Sequence, residues 1–569
     1  MNIFKKVYTI SSKELLFSYL LFILITIFNT FFEIISLLYV FPLLDFLVLN
    51  KLSPITTYFF DIINKIDFFL KFQKINLVLF FFVIIFLLKF SFNFLSIFYT
   101  QLLQKKLRKD FSIKLLNSYL GRKYSFFVNT NSSFLIRNIF QEVPRVILGV
   151  ITNLFNLISE FLLIISILIV LFIYDLKSTL IAFIIIGTFG TLFIILSRKL
   201  IKNLAEKRLK FDGKFLKNIK EIFDNIKIIK ISERENFFLN LTKKNAYNSF
   251  NSHFFYNLVA QSPRIIFEFV LIFIVLTVLI VNISNQNIIY TLAIYSVASL
   301  RLIPSISKVI NSISNIRFDM PSLNVLNKSL KDVKKTKLFK YENSIIKFKE
   351  SISLKNISFS YLHKIKILHN VNMKFKKNHI TGIIGESGSG KSTLVDIISG
   401  LQQPQLGKIL LDDKQIINEN NLYNWKKLIG YMPQNSTLLD MSIKDNITLG
   451  EYMHNKKDFN RLNQAINDSE LSKFIKKLDN GINTKVGDKG IKISGGEMQR
   501  IALARTLYSQ SEIIILDEAT SSLDKHTESK ILYTLKKLKN KTIIFITHKT
   551  NNLKFCNKVY KLNNIKNNE

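Results

Sequence analysis

A chain of 569 residues is too long for a single hydrophobic core, so two or more domains are expected. Half of it is apolar (49% hydrophobic, with 52 Phe), and the formal charge of +38 flanks apolar runs rather than forming a basic soluble face, which argues against a nucleic-acid binder. The one cysteine, Cys556, excludes an intrachain disulfide framework and a cysteine-cluster zinc site.

Six apolar stretches, near 15–41, 76–101, 146–173, 177–199, 254–282 and 287–312, each reach the ~20 residues that a bilayer crossing takes. The first is too long for a cleavable signal and follows Lys5, Lys6 and Lys13. Between the first two, Ile55, Tyr58, Phe59, Ile62, Ile63, Ile66 and Phe69 recur at helical spacing, which predicts an amphipathic helix over 55–72 on the outer membrane surface. The segments after the second and fourth spans are long and rich in Lys and Arg, whereas the Val281–Gln286 connection carries no charge. By the positive-inside rule both termini lie in the cytoplasm, and the two basic segments extend the spans as helices. Their turns fall near Arg122–Asn131 and Ile226–Asn236.

Charges inside spans need a reason. Glu33, Lys89 and Glu160 sit in the first three spans, and Arg264 and Glu268 lie four apart in the fifth, open to a structural pair or snorkelling. Arg301 and Lys308, seven apart, share one face of the sixth. Lys89, Arg301 and Lys308 are expected to line a water-filled cavity suited to an anionic head group, with Arg264 as a further member.

A Lys-rich linker over 331–350 separates the membrane domain, 1–330, from residues 351–569, where strand-like and helical stretches alternate as in an α/β domain. Gly385-Glu386-Ser387-Gly388-Ser389-Gly390-Lys391-Ser392 follows the apolar Ile380–Ile384 and precedes a helical stretch beginning at Thr393. This is a phosphate-binding loop: glycines turn backbone N–H groups onto phosphate oxygens, Lys391 reaches the β- and γ-phosphates, and the Ser392 hydroxyl ligates magnesium. Ile513–Glu518 is a buried strand ending in two carboxylates, in which Asp517 holds magnesium and Glu518 is placed as general base for water.

Ile493-Ser494-Gly495-Gly496-Glu497 resembles the LSGGQ signature of ATP-binding cassette (ABC) proteins, with Ile and Glu in place of Leu and Gln. The resemblance implies that Ser494, Gly495, Gly496 and Glu497 clamp a γ-phosphate bound by another subunit, and the Glu497 departure bears on the hydrolysis rate. It further implies that Tyr361 stacks on adenine, Gln434 senses magnesium and couples to the membrane domain, Asp524 belongs to the D-loop, His548 contacts the γ-phosphate, and Thr484–Gly490 is the exporter X-loop. The expected fold is therefore an α-helical polytopic membrane domain of six helices followed by an α/β P-loop ATP-binding cassette. ATP and Mg2+ are the cofactors, and a homodimer in a bacterial inner membrane is the working unit.

Within that group the membrane half resembles PglK-type flippases of lipid-linked oligosaccharides, through Ser262–Glu268, Leu300–Lys308 and the outer amphipathic helix with Lys89. The resemblance implies a polyprenyl-pyrophosphate-linked glycan as cargo, although Lys89 and Lys308 stand where that group has arginine and so lose bidentate geometry. Lipid A-like lipids, drugs and peptides are the alternative cargoes. An ATP-gated channel or regulator is the alternative of another class, against which the intact Lys391, Asp517, Glu518 and His548 argue.

Overall fold

The computed structural model describes residues 6–7, 13–39, 56–57, 61, 74–281, 288–331, 346–361, 366–451, 455–487, 490 and 493–563. Most of the expected amphipathic helix over 55–72 and most of the 331–350 linker lie outside these residues, as do Asp488 and Lys489 of the X-loop stretch. The chain divides into two compact units, residues 1–122 with 126–338, and residues 123–125 with 339–569.

The first unit is helical: α1 (Lys13–Leu38), α2 (Lys74–Leu120), α3 (Tyr124–Asn129), α4 (Ser132–Tyr174), α5 (Leu176–Asp224), α6 (Ile226–Ile231), α7 (Glu235–Val281) and α8 (Ile288–Lys331). Among the described residues five helices, α1, α2, α4, α5 and α7, are long and apolar enough to cross a membrane; the sixth expected span lies on α8. The 47, 49 and 47 residues of α2, α5 and α7 make rods of about 70 Å, twice the hydrocarbon thickness, so the polar ends continue the spans well past the bilayer. Asp175 caps α5, accepting from the Lys177 and Ser178 N–H groups, and so fixes the tight reversal from α4.

Beyond the apolar spans, ionic contacts rather than apolar packing alone join the helices. Arg145 of α4 meets Asp212 of α5 at 2.6 Å, and the fully buried Arg208 of α5 meets Asp319 of α8 at 3.1 Å. Two π-helical stretches in α4, Asn138–Glu142 and Val146–Ile151, surround this network, and Gly149 in the second leaves the room that the Asp319 carboxylate fills.

The second unit holds two sheets. An antiparallel one has the order β2-β1-β4-β5, from β1 (Ser351–Ser360), β2 (Lys366–Lys376), β4 (Leu406–Leu411) and β5 (Gln415–Ile416). The other, β6-β7-β8-β3-β9, is parallel and comprises β3 (Ile380–Gly385), β6 (Ile429–Met432), β7 (Ile513–Asp517), β8 (Thr542–Ile546) and β9 (Lys558–Leu562). Every residue of β7 and β8 is buried, as continuous Ile-rich runs covered on both faces require. A core of Ile352, Phe375, Leu394, Ile397, Ile515 and Ile544 binds the two sheets to α9 (Lys391–Ile398). Trp425, fully buried in α10 (Leu422–Lys427), completes it by donating its indole N–H to the Ile398 carbonyl at 2.8 Å, and α11 (Ile443–Thr448), α12 (Lys456–Asp468) and α13 (Ser472–Ile475) follow.

Candidate functional site

The parallel sheet places its functional side chains at the carboxyl ends of its strands, where α/β folds bind ligands. β3 leads into the loop and then α9, whose N-cap is Gly390 with φ +90°. A Cβ on Gly390 would lie 2.9 Å from Leu368 and 3.0 Å from Ile367, so conformation and packing both demand glycine. Gly388, at φ +83°, has nothing within 4 Å of its Cβ position and faces open space. Gly385 abuts the Leu562 carbonyl of β9, which fixes where the loop leaves the sheet.

A cleft of about 320 Å³ is lined by Ser387, Gly388, Gly390, Lys391, Ser392, Thr393, Gln434, Asp517, Glu518 and His548, so ten of the residues singled out by sequence converge there. Lys391 donates to the carbonyls of Gly385 and Glu386 at 2.9 and 2.7 Å, an ammonium poised at the mouth of the loop. Desolvation lowers its pKa, against the pull of Glu518 and Asp517. Burial, reinforced by neighbouring Glu518, pushes Asp517 up to about 6.

Glu518 sits just past β7 with φ +51°, a left-handed backbone that a non-glycine residue adopts only under constraint. Its N–H donates to the Ile546 carbonyl of β8 at 3.0 Å. Gln434 Nε2 donates to one carboxylate oxygen at 2.9 Å and His548 Nε2 lies 2.7 Å from the other. Glu518 is thus held from three sides, between Gln434 beyond β6 and His548 beyond β8.

The residues present fit a magnesium nucleotide. The open Gly388 backbone, the N-terminus of α9 and the Lys391 ammonium face polyanionic oxygens, and Ser392 with Asp517 supplies the hard oxygen donors that magnesium takes.

Outside this cleft lie the residues of the signature stretch. Ser494 is the N-cap of α14 (Gly495–Tyr508), its hydroxyl accepting from the Glu497 N–H while the Glu497 carboxylate accepts from the Ser494 N–H at 2.9 Å. Glu497 thus completes a capping box with Ser494, a role that Gln at this position would also fill. Gly495 has no close neighbour at its Cβ position. Asp524 caps α15 (Lys525–Lys537) by accepting from Thr527 N–H at 2.9 Å. Tyr361 stands edge-on to Phe359 and is not among the residues lining the cleft, but its hydroxyl lies 3.5 Å from that of Thr393, which is. Sequence reasoning missed Gln499, which bonds Ser521 Oγ at 2.8 Å and the Ser522 N–H at 3.0 Å, tying α14 to the loop beyond Glu518. Ile367, a cleft residue on β2, carried no sequence signal at all.

In the helical unit, three of the four cations expected to line a cavity have carboxylate partners. Arg301 pairs with Glu33, Lys308 with Glu160 at 2.9 Å, and Arg264 with Glu268 at 2.9 Å. Lys89 donates to Ser36 Oγ at 3.0 Å. Placing a cation in low dielectric without a counter-charge is costly, and Glu33, Glu160 and Glu268 supply counter-charges.

Residues 19–292 match the ABC transporter transmembrane region and residues 368–521 match the ABC transporter family, together about three quarters of the chain. A protein of Rickettsia typhi named as a candidate export ATP-binding/permease protein is 39% identical over 206 residues, 36% of this chain and 35% of that protein, so the chain spans about a third of that relative's length. The ATP-dependent lipid A-core flippase of Desulfotalea psychrophila is 29% identical over 471 residues, 79% of each. The fold is that of a bacterial Atm1-family ABC exporter with ATP bound, at TM-score 0.79, 19% identity and 97% and 94% coverage.

Proposed function

This chain is an ABC exporter half-transporter, and from that premise we propose that two copies hydrolyse ATP to move a lipid-linked cargo from the cytoplasmic to the outer leaflet of a bacterial inner membrane. The observation that carries the reading is the cleft that joins the phosphate loop, Asp517, Glu518 and His548. Lys391 and the loop N–H groups bind the phosphates and orient the γ-phosphate. Glu518, fixed by Gln434 and His548, accepts the proton of the attacking water. Magnesium, when bound by Ser392 and Asp517, neutralises phosphate charge. Ser494–Glu497 lie outside the cleft of their own chain, which favours a second copy whose α14 N-terminus closes the site. Closure and release of the cassettes then alternate the access of the membrane helices.

For the cargo we favour a polyprenyl-pyrophosphate-linked oligosaccharide, supported by Lys89, the span cation of the set Lys89, Arg264, Arg301 and Lys308 that has no carboxylate partner among the described residues. A lipid A-like lipid is the second reading, favoured by likeness to the lipid A-core flippase over most of both chains. Proteoliposomes loaded with a polyprenyl-pyrophosphate oligosaccharide test the choice, with Glu518→Gln as the inactive motor. Movement that needs ATP and Glu518 is the expected result. ATP turnover with no glycan movement rejects this cargo.

A further inference from the structure

We infer that the membrane half recognises the head group of its cargo through neutral hydroxyl donors, the chemistry of a saccharide, at a seam of oxygen acceptors shared by α1, α4 and α8. The inference rests on the transport reading above and names the part of the cargo that the helices contact.

Within the apolar stretches of these helices, near 15–41, 146–173 and 287–312, four oxygens are buried without a hydrogen-bond partner among the described residues: Asn29 Oδ1, Glu160 Oε2, Ser307 Oγ and Asn311 Oδ1. Three of them can only accept. Glu160 and Ser307 are 9% and 5% exposed, so neither is satisfied at the protein surface. They belong to one region. Ser307 and Asn311 are successive turns on one face of α8, and Lys308 between them bonds Glu160 Oε1 at 2.9 Å, which brings the open Oε2 to that turn. Asn29 lies one turn before Glu33, which pairs with Arg301 two turns along α8 from Lys308. An acceptor left unpaired in apolar surroundings costs about 1–3 kcal/mol, so a fold that keeps several together has a use for donors there.

Charge decides what kind of donor fits. Glu33 and Glu160 already offset Arg301 and Lys308, so a further full charge would enter a neutral, low-dielectric region at high cost. Hydroxyl groups fill the acceptors and add no charge. Among the described residues the one cation of this set with no carboxylate partner is Lys89, held by Ser36 one turn beyond Glu33, enough to meet a phosphate linking sugar to lipid.

The test uses the full chain in phosphatidylethanolamine–phosphatidylglycerol nanodiscs. ATP hydrolysis is followed against decyl glucoside, decyl phosphate and decylamine, each read relative to the basal rate of the variant in hand. Decyl glucoside is expected to activate at the lowest concentration. Ser307→Ala and Asn311→Leu should each raise its half-maximal concentration about fivefold, the worth of one hydrogen bond, with shifts under about twofold for the other two probes. A lower half-maximal concentration for the phosphate or the amine overturns the inference, as does a glucoside response that neither variant shifts. Glu518-dependent turnover that ignores all three probes also overturns it while leaving the transporter reading intact. Absence of any ATP turnover in the unaltered protein overturns the transporter reading itself.

Discussion

His548 Nε2 and Gln434 Nε2 grip the two carboxylate oxygens of Glu518 at 2.7 and 2.9 Å, so the group placed to accept a proton from water is oriented before any ligand arrives. If that orientation matters, loss of His548 weakens turnover more than nucleotide binding. His548→Ala should lower kcat about 100-fold, with ATP affinity changed less than about threefold. Glu518→Gln should lower kcat by about 10³ or more. Phosphate release and fluorescent-nucleotide binding on the same preparations separate the two effects. Equal losses in binding and turnover would count against the orienting role.

The two left-handed glycines of the loop predict different failures. Gly390→Ala adds a close approach to Leu368 and Ile367 on top of an unfavourable φ, and should both abolish nucleotide binding and lower the melting temperature. Gly388→Ala meets only open space, so its cost is the backbone conformation alone, about 1 kcal/mol. Calorimetry in the absence of nucleotide distinguishes them.

Asp517 sets a dependence on pH and metal. Burial raises it to about 6 from 3.8. A carboxyl raised on folding contributes stability that is full below pH 3.8 and is lost as pH rises through about 6, so the metal-free protein should lose stability on this account between about pH 4 and 6. Magnesium needs the carboxylate and must displace a proton below pH 6. The magnesium concentration for half-maximal ATP hydrolysis should therefore climb as pH falls from 7 to 5.5, and removal of metal by chelation should abolish turnover at any pH. Asp517→Asn should remove the stability trend, which thermal unfolding in EDTA measures.

Glu497 gives a test of the unusual signature. Gln can keep the bond to the Ser494 N–H through its side-chain oxygen, whereas Ala cannot. Glu497→Gln should be nearly neutral for stability and Glu497→Ala should cost about 1 kcal/mol, read by denaturant unfolding of the cassette transition.

Gly149 predicts a defect far from the nucleotide. A methyl there would enter the space of the Asp319 carboxylate, which is paired to the buried Arg208. Gly149→Ala should destabilise the helical unit by about 3 kcal/mol, because it overpacks the site and disturbs a buried ion pair. A melting temperature unchanged by this substitution would show that α4 shifts to make room.

The nucleotide cleft was legible because its chemistry fixes residue types at short spacings: Gly385–Ser392 and Asp517–Glu518 read directly, and their strands were apolar runs bounded by loop residues. The capping box was equally legible, since Ser494-x-x-Glu497 is its sequence form, but the LSGGQ comparison drew attention to the mismatch instead of the spacing. What sequence concealed was partnership at long range. Glu33 and Arg301 are 268 residues apart, and nothing local says that they meet. Their pairing, with that of Lys308 and Glu160, supplies counter-charges within the spans that no local pattern foretold. The π-helical stretches of α4 were hidden for a related reason, because they accommodate neighbours such as Asp319 that only packing brings there.

The lengths of α5 and α7 have a mechanical consequence. A continuous helix of about 70 Å acts as a lever, and a tilt of roughly 5° at one end carries the other end through about 6 Å. Such a displacement is about one helical pitch, enough to slide side chains from one set of neighbours to the next. Gearing of that kind turns a small angular step at the polar tips into a large stroke along the apolar spans, and a break in either rod would uncouple effort from travel while leaving both ends intact.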